Sequence, residues 1–242
     1  MLAPFLIMLR EGLEAALIVG IIAGYLRQTG RRDQLPAVWV GIFLAAAMAL
    51  FTGAALQMVS AGFPQKAQEL FEAVVGIAAV VVLVAMVFWM RRAAKSIRRE
   101  LHAGIDQALA AEGGRAAGWA LIGMVFFAVA REGLESVFFL LAIFQQSRDA
   151  AAPLGALAGI AVSAGIGWAI YRGGLRLNLA RFFRWTGVVI LFVAAGLLAG
   201  ALKALHEAGL WNGLQGVVYD LGRVLPESGA VGTVLSGLLG YR

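Results

Sequence analysis

The string Arg-Glu-Gly-Leu-Glu occurs twice, at 10–14 and at 131–135, each time inside an apolar run. Residues three apart on an α-helix sit about 60° apart round the axis with about 4.5 Å of rise, so they share a face. Glu11 and Glu14 therefore project together, as do Glu132 and Glu135, and as do Glu69 and Glu72 of the string "ELFE". Arg10 stands four residues before Glu14, and Arg131 four before Glu135. Each guanidinium can bond the second glutamate of its own helix or reach across to the other copy.

A charged side chain at the centre of a membrane helix costs about 2.5–3.5 kcal/mol. Six of them in two helices would cost on the order of 15–20 kcal/mol if they faced lipid unpaired. They must face one another or a wet cavity. Two Arg and four Glu leave a formal charge of −2 when all are ionised, which burial tolerates only with protons, a cation or both. Ion pairs that merely lock two helices together need one glutamate per arginine. The surplus pair points to a bound cation. Oxygen-only ligands select hard cations, and neither Cys nor His lies near the motifs to favour a softer metal. Iron, manganese, calcium, magnesium and protons all satisfy that chemistry. Gly12 and Gly133, with Ala16, Gly20 and Gly24, offer smooth surfaces for close helix packing.

The elements that must position these residues follow from composition. The 242 residues are 61% hydrophobic and 14% charged, with mean hydropathy +0.85. Soluble domains run near 25% charged, so the chain is expected to be an all-α polytopic membrane protein in a lipid bilayer. Spans are expected at about 2–26, 36–59, 69–90, 118–144, 153–171 and 182–203. The start, "MLAPFLIMLREGLE", has no basic leader region and reads as a first span, not a cleaved signal. Thirteen Lys and Arg fall in the loops after the first, third and fifth spans and five in the other loops and the tail. That bias places the N-terminus outside the cytoplasm. It also explains the net charge of +6 without nucleic acid as a partner. Residues 91–117 form a basic cytoplasmic linker carrying an amphipathic stretch, with Ile97, Leu101, Ile105 and Leu109 at spacing four.

The two motifs divide the chain into a first three-helix repeat (1–90) and a second (118–205). Each motif helix is followed by a polar turn, a proline (Pro36 or Pro153) and two further apolar helices. Three spans per half is an odd number, so the second half enters the bilayer inverted, an architecture that places its site near the midplane between repeats. Residues 206–242 are expected to form a partial or re-entrant segment, with His206 and Glu207 at the outer boundary. The sequence carries no nucleophile–base set, phosphate loop or CxxC pair, and no cysteine at all, so an enzyme is not expected.

At both REGLE copies, at "ELFE" 69–72 and in its helix order, the chain resembles the oxidase-dependent iron permeases, which include fungal ferric permeases and bacterial Efe-type permeases. The resemblance covers nearly the whole chain. It implies iron import across the cytoplasmic (inner) membrane, with Glu11, Glu14, Glu132 and Glu135 as iron ligands. It implies Glu69 and Glu72 on the approach route, and Arg10 and Arg131 limit the excess negative charge. Iron, as Fe²⁺ or Fe³⁺, would be cargo and not a prosthetic group. Periplasmic iron-binding or oxidase/peroxidase proteins would be partners. Family members usually continue into a seventh span, and "GLLGYR" stands about where that helix would begin. A transporter of another divalent cation, a proton-coupled solute carrier and a subunit whose motifs only staple helices remain alternatives on the residues themselves.

Overall fold

The computed structural model describes residues 1–93, 97–110, 114–146, 151–171, 179–210 and 213. Among these the chain is helical: α1 (Leu2–Gln28), α2 (Leu35–Ala61), α3 (Gln65–Ala93), α4 (Ile97–Leu109), α5 (Gly114–Gln146), α6 (Ala152–Tyr171) and α7 (Leu179–Glu207). The expected tail segment lies outside the described residues, apart from 206–210 and 213. α2, α3, α6 and α7 are each long and apolar enough to cross a membrane. α1 and α5, at 27 and 33 residues, have the length but are interrupted by the three charges of the motif. Trp39, Phe43, Phe51, Phe127, Trp168 and Trp185 stand exposed on the outside of the bundle, which suits lipid better than water.

Sequence and local chemistry account for the helix ends. α1 stops where Gly30 takes φ 77°, and the Arg31 N–H reaches back to the Leu26 carbonyl at 2.8 Å. Pro36 sits in the first turn of α2, where its missing N–H costs nothing. α3 begins four residues earlier than the apolar pattern predicts. The Pro64 carbonyl already accepts the Gln68 N–H at 2.9 Å, so Glu69 and Glu72 lie inside the helix and not at its start.

The most extensive contacts are α1 with α6, α2 with α5, α3 with α7 and α1 with α5. Exchanging α1 with α5, α2 with α6 and α3 with α7 leaves this set unchanged. The correspondence extends to single residues. A methyl on Gly41 of α2 would stand 2.9 Å from the Ile122 carbonyl oxygen of α5, and one on Gly155 of α6 would strike the Met1 carbonyl oxygen before α1. Likewise Gly133 meets Ala49 while Gly12 meets Ser163, and Gly53 meets Val137 while Gly167 meets Ala16. In all three cases the paired positions are related by the same two steps, 121 between the α1 and α5 sides, as from Arg10 to Arg131, and 114 between α2 and α6, as from Gly41 to Gly155. Small residues at spacing four (Gly41, Ala45, Ala49, Gly53; Gly155, Gly159, Ser163, Gly167) thus let each second helix touch the opposite motif helix nearly backbone to backbone.

Two apolar clusters flank the motifs. One joins Ala3 and Ile7 of α1 to Phe139, Leu141, Ala142 and Ile143 of α5, together with α3 and α7. The other joins Ile18, Ile22 and Leu26 of α1 to Leu121 and Val125 of α5, together with α2 and α4. The early half of α1 therefore packs on the late half of α5 and vice versa, so the two helices cross head to tail. Helix α4 is more than a connector. Ile105 is fully buried in the second cluster, Leu101 and Leu109 pack against it, and the Tyr25 ring of α1 stacks on His102 at 4.3 Å. The Tyr25 hydroxyl donates to Asp106 Oδ1 at 2.6 Å. Replacing Asp106 by Ala is expected to raise amide exchange across α4 while leaving α1 and α5 protected, checked by hydrogen-exchange mass spectrometry.

Candidate functional site

The motif residues lie between the two apolar clusters, at the crossing of α1 and α5. The close α1–α6 contact at Gly12 and α2–α5 contact at Gly133 hold both helices at short range on either side of the charges. Arg10, Glu11, Glu14 and Glu132 are all buried, and Glu135 is mostly so. Carboxylate oxygens of Glu11, Glu132 and Glu135 all fall within 4.8 Å of one another. Two of the three come from one helix turn of α5 and the third from α1, so neither motif alone assembles the group.

Glu14, the fourth expected ligand, is not part of that group. Its Oε1 lies 3.2 Å from Arg10 Nε on the same helix, and Arg10 Nη1 lies 3.6 Å from Glu11 Oε1. In the second copy Arg131 Nε donates to Glu135 Oε1 at 3.0 Å. The two arginines differ sharply in surroundings: the Arg10 side chain is 1% exposed and that of Arg131 51%. The bundle is symmetric in its helix pairing and asymmetric in its charges.

Several polar atoms in this layer are buried without a hydrogen-bond partner among the described residues. They are both oxygens of Glu11, one oxygen each of Glu132 and Glu135, and Oε1 of Glu14 with Nε and Nη1 of Arg10. Among these, the Arg10 atoms face Glu14 Oε1 and Glu11 Oε1 as ion pairs without hydrogen-bond geometry. An unsatisfied buried polar atom costs about 1–3 kcal/mol, and more when charged. Three carboxylates converging with unused oxygens are chemically an oxygen cage for a hard cation. Ser136, one turn beyond Glu132, turns its hydroxyl to the Glu132 carbonyl at 2.8 Å and offers it no further.

Glu69 and Glu72 are not brought to this cluster. Glu69 accepts a bond from Gln65 at 3.1 Å and lines an open cleft of about 400 Å³ with Gln65, Lys66, Glu207, Ala208 and Gly209. Glu207 pairs with Lys203 at 3.7 Å. The cleft stands at the end of the bundle where α3 begins and α7 ends. Sequence reasoning passed over Gln146, whose side chain lies between α3 and α7 at that same end of α5. The signal available was a pair of amides, Gln145–Gln146, closing an apolar helix.

The iron permease FTR1 family matches the chain over residues 1–242. A ferrous iron permease EfeU of Yersinia pestis is 54% identical over 242 residues, covering 100% of this chain and 85% of the relative. The protein of that name from Yersinia pseudotuberculosis serotype I is 55% identical over 239 residues, 99% of this chain and 83% of the relative. The one from Escherichia coli O157:H7 is 53% identical over 242 residues, with 100% and 87% covered. No solved structure matches the chain.

Proposed function

Because the chain belongs to the iron permease FTR1 family, it is a multi-pass membrane permease for iron and not an enzyme, and we propose that it moves iron through the carboxylate cluster at the α1–α5 crossing. Glu11, Glu132 and Glu135 replace part of the ion's water shell. Glu14 is a fourth carboxylate within the same layer, held back by Arg10. Arg10 and Arg131 reduce the negative charge so that the ion is bound without being trapped. The observation that carries this reading is the convergence of three buried or mostly buried carboxylates within 4.8 Å, with oxygens that have no hydrogen-bond partner among the described residues.

The helix pairing supports six spans arranged as two inverted repeats, 1–90 and 118–205, with 91–117 and α4 on the cytoplasmic side. In that orientation the N-terminus and the Glu69 cleft face outward, across an inner membrane, and Glu69 and Glu72 gather the ion. Iron-binding or oxidase/peroxidase proteins on the outer side would deliver it there. The names of the relatives favour Fe²⁺ as the form carried.

The test is anaerobic Fe²⁺ binding to the purified protein and uptake of radioactive iron by cells. Glu11→Gln or Glu132→Gln removes one charge at nearly constant volume and is expected to weaken binding at least about tenfold, the cost of one charge-assisted contact. Full uptake in either variant would refute the site. Uptake competed away by Mn²⁺ or Zn²⁺ at equal concentration would make the cargo a broader class of divalent cation.

A further inference from the structure

The Glu69 cleft and the carboxylate cluster lie at different depths of the bundle, separated by the packed late half of α5. On the cleft side of the motifs the α1–α6 seam is closed by backbone contact at Gly155 and Gly159, and in the α2–α5 seam Gly53 packs on the apolar Val137. The α3–α5–α7 seam differs because it carries polar groups. On α3, positions 69, 72, 76, 79 and 83 alternate at spacings of three and four and so share one face. That face begins with Glu69 and Glu72 and continues through Gly76 to the fully buried Ala79 and Leu83. On α5, Glu135, Phe139, Ala142 and Gln146 share a face by the same spacing.

Gln146 is where the two faces meet. A methyl on Gly76 would stand 2.9 Å from its Nε2, and one on Gly200 of α7 would collide with its Oε1 and Cδ. Its Nε2 donates to the Leu197 carbonyl of α7 at 3.2 Å. The carboxamide is thus inserted between two helices at positions that only glycine leaves open. Gly76 is one turn from Glu72 on one side, and Gln146 is eleven residues, about 16 Å, from Glu135 on the other. Leucine has a similar size and would fill this apolar seam without burying an amide.

We propose that the ion descends along the α3–α5–α7 seam and that the Gln146 carboxamide is the polar waypoint between the Glu69–Glu72 face and the carboxylate cluster. This rests on the reading of Glu11, Glu132 and Glu135 as the ion site. A carboxamide oxygen is a neutral hard ligand. It can accept a cation from carboxylates and release it again, where a further carboxylate would hold it. Beyond it, Ala142 and the fully buried Phe139, one turn above Glu135, form an apolar layer that must part for the ion to arrive. Gln146 is therefore a rate-setting residue and not a ligand of the resting site.

The experiment compares two readouts on the full chain: equilibrium Fe²⁺ binding in detergent and Fe²⁺ influx into proteoliposomes under reducing conditions. Gln146→Leu is expected to slow influx about tenfold, the effect of losing one polar contact, with equilibrium binding at the wild-type value. Gln146→Asn keeps a neutral carboxamide oxygen near the waypoint, one methylene shorter, and is expected to recover a large part of the influx. Wild-type influx in Gln146→Leu overturns the proposal, and so does an equal loss in both variants, which would make the residue a packing element. If Gln146→Leu does not fold, Gly76→Ala presses on the carboxamide without removing it. Slowed influx there supports the waypoint and unchanged influx overturns it. Failure of the ion site is a separate result, seen as unaltered equilibrium binding in Glu132→Gln.

Discussion

Arg10→Met is expected to cost about 3–5 kcal/mol of stability, the penalty for removing one partner of a buried charge pair. The Arg10 side chain is 1% exposed and stands beside Glu11 and Glu14, both buried on the same helix. Without it, four carboxylates share the layer with a single guanidinium. Arg131→Met changes the same residue type at the equivalent place in the repeat, but that side chain is 51% exposed. Its loss is expected to stay within about 1 kcal/mol, as for a solvent-screened pair. Thermal unfolding of the two purified variants, followed by tryptophan fluorescence, checks the contrast. Equal melting temperatures would mean that the two arginines are in equivalent surroundings, against the asymmetry of the structure.

Gly159→Val is expected to separate α1 from α6 and to abolish uptake. A Cβ at 159 would meet Leu9 N at 2.9 Å and Met8 Cβ at 2.9 Å, and would press on the Phe5 carbonyl. Backbone atoms cannot move aside as a flexible side chain can, so the helices must part or bend. Overpacking of this kind costs about 1–3 kcal/mol. The functional loss is expected to exceed that, because α1 carries Glu11 into a group whose oxygens lie within 4.8 Å of one another. Gly123→Ala is the control: a methyl there meets nothing within 4 Å. It is expected to leave uptake unchanged and to add up to about 1 kcal/mol through helix propensity. Membrane abundance and iron uptake measured together separate a helix shift from simple loss of the protein.

Much of the fold was legible in the residues. The six apolar runs became helices α1, α2, α3, α5, α6 and α7, because about 20 apolar residues without a break can do little else in lipid. Boundaries moved by a few residues where a proline or glycine outweighed hydropathy, as at Pro64. The docking of α4 was half legible. Its apolar spacing was plain, but the partner of that face was not, and Tyr25 and Asp106 lie 81 residues apart. Gln146 was missed because its role depends on Gly76 and Gly200, two glycines on other helices that no local pattern connects to it.

The sequence by itself determined that charged residues had to meet inside the bundle. Six charges in two apolar helices have no tolerable place in lipid, and four glutamates outnumber two arginines whatever the packing. It also determined, through the repeated motif, that two halves could pair in the same way. The close seams, however, run along the small residues of α2 and α6 and not along Gly20 and Gly24 of α1, which meet nothing within 4 Å. Only the tertiary structure decided which carboxylates converge. Glu11 joins Glu132 and Glu135 while Glu14 stays with Arg10, and one arginine is buried while its counterpart is half exposed. The reason is geometric. Spacing along a helix fixes which face a side chain shares, but the distance between faces on different helices is set by packing, and here by the meeting of Gly12 and Gly133 inside the motifs with small residues on the distant helices α6 and α2.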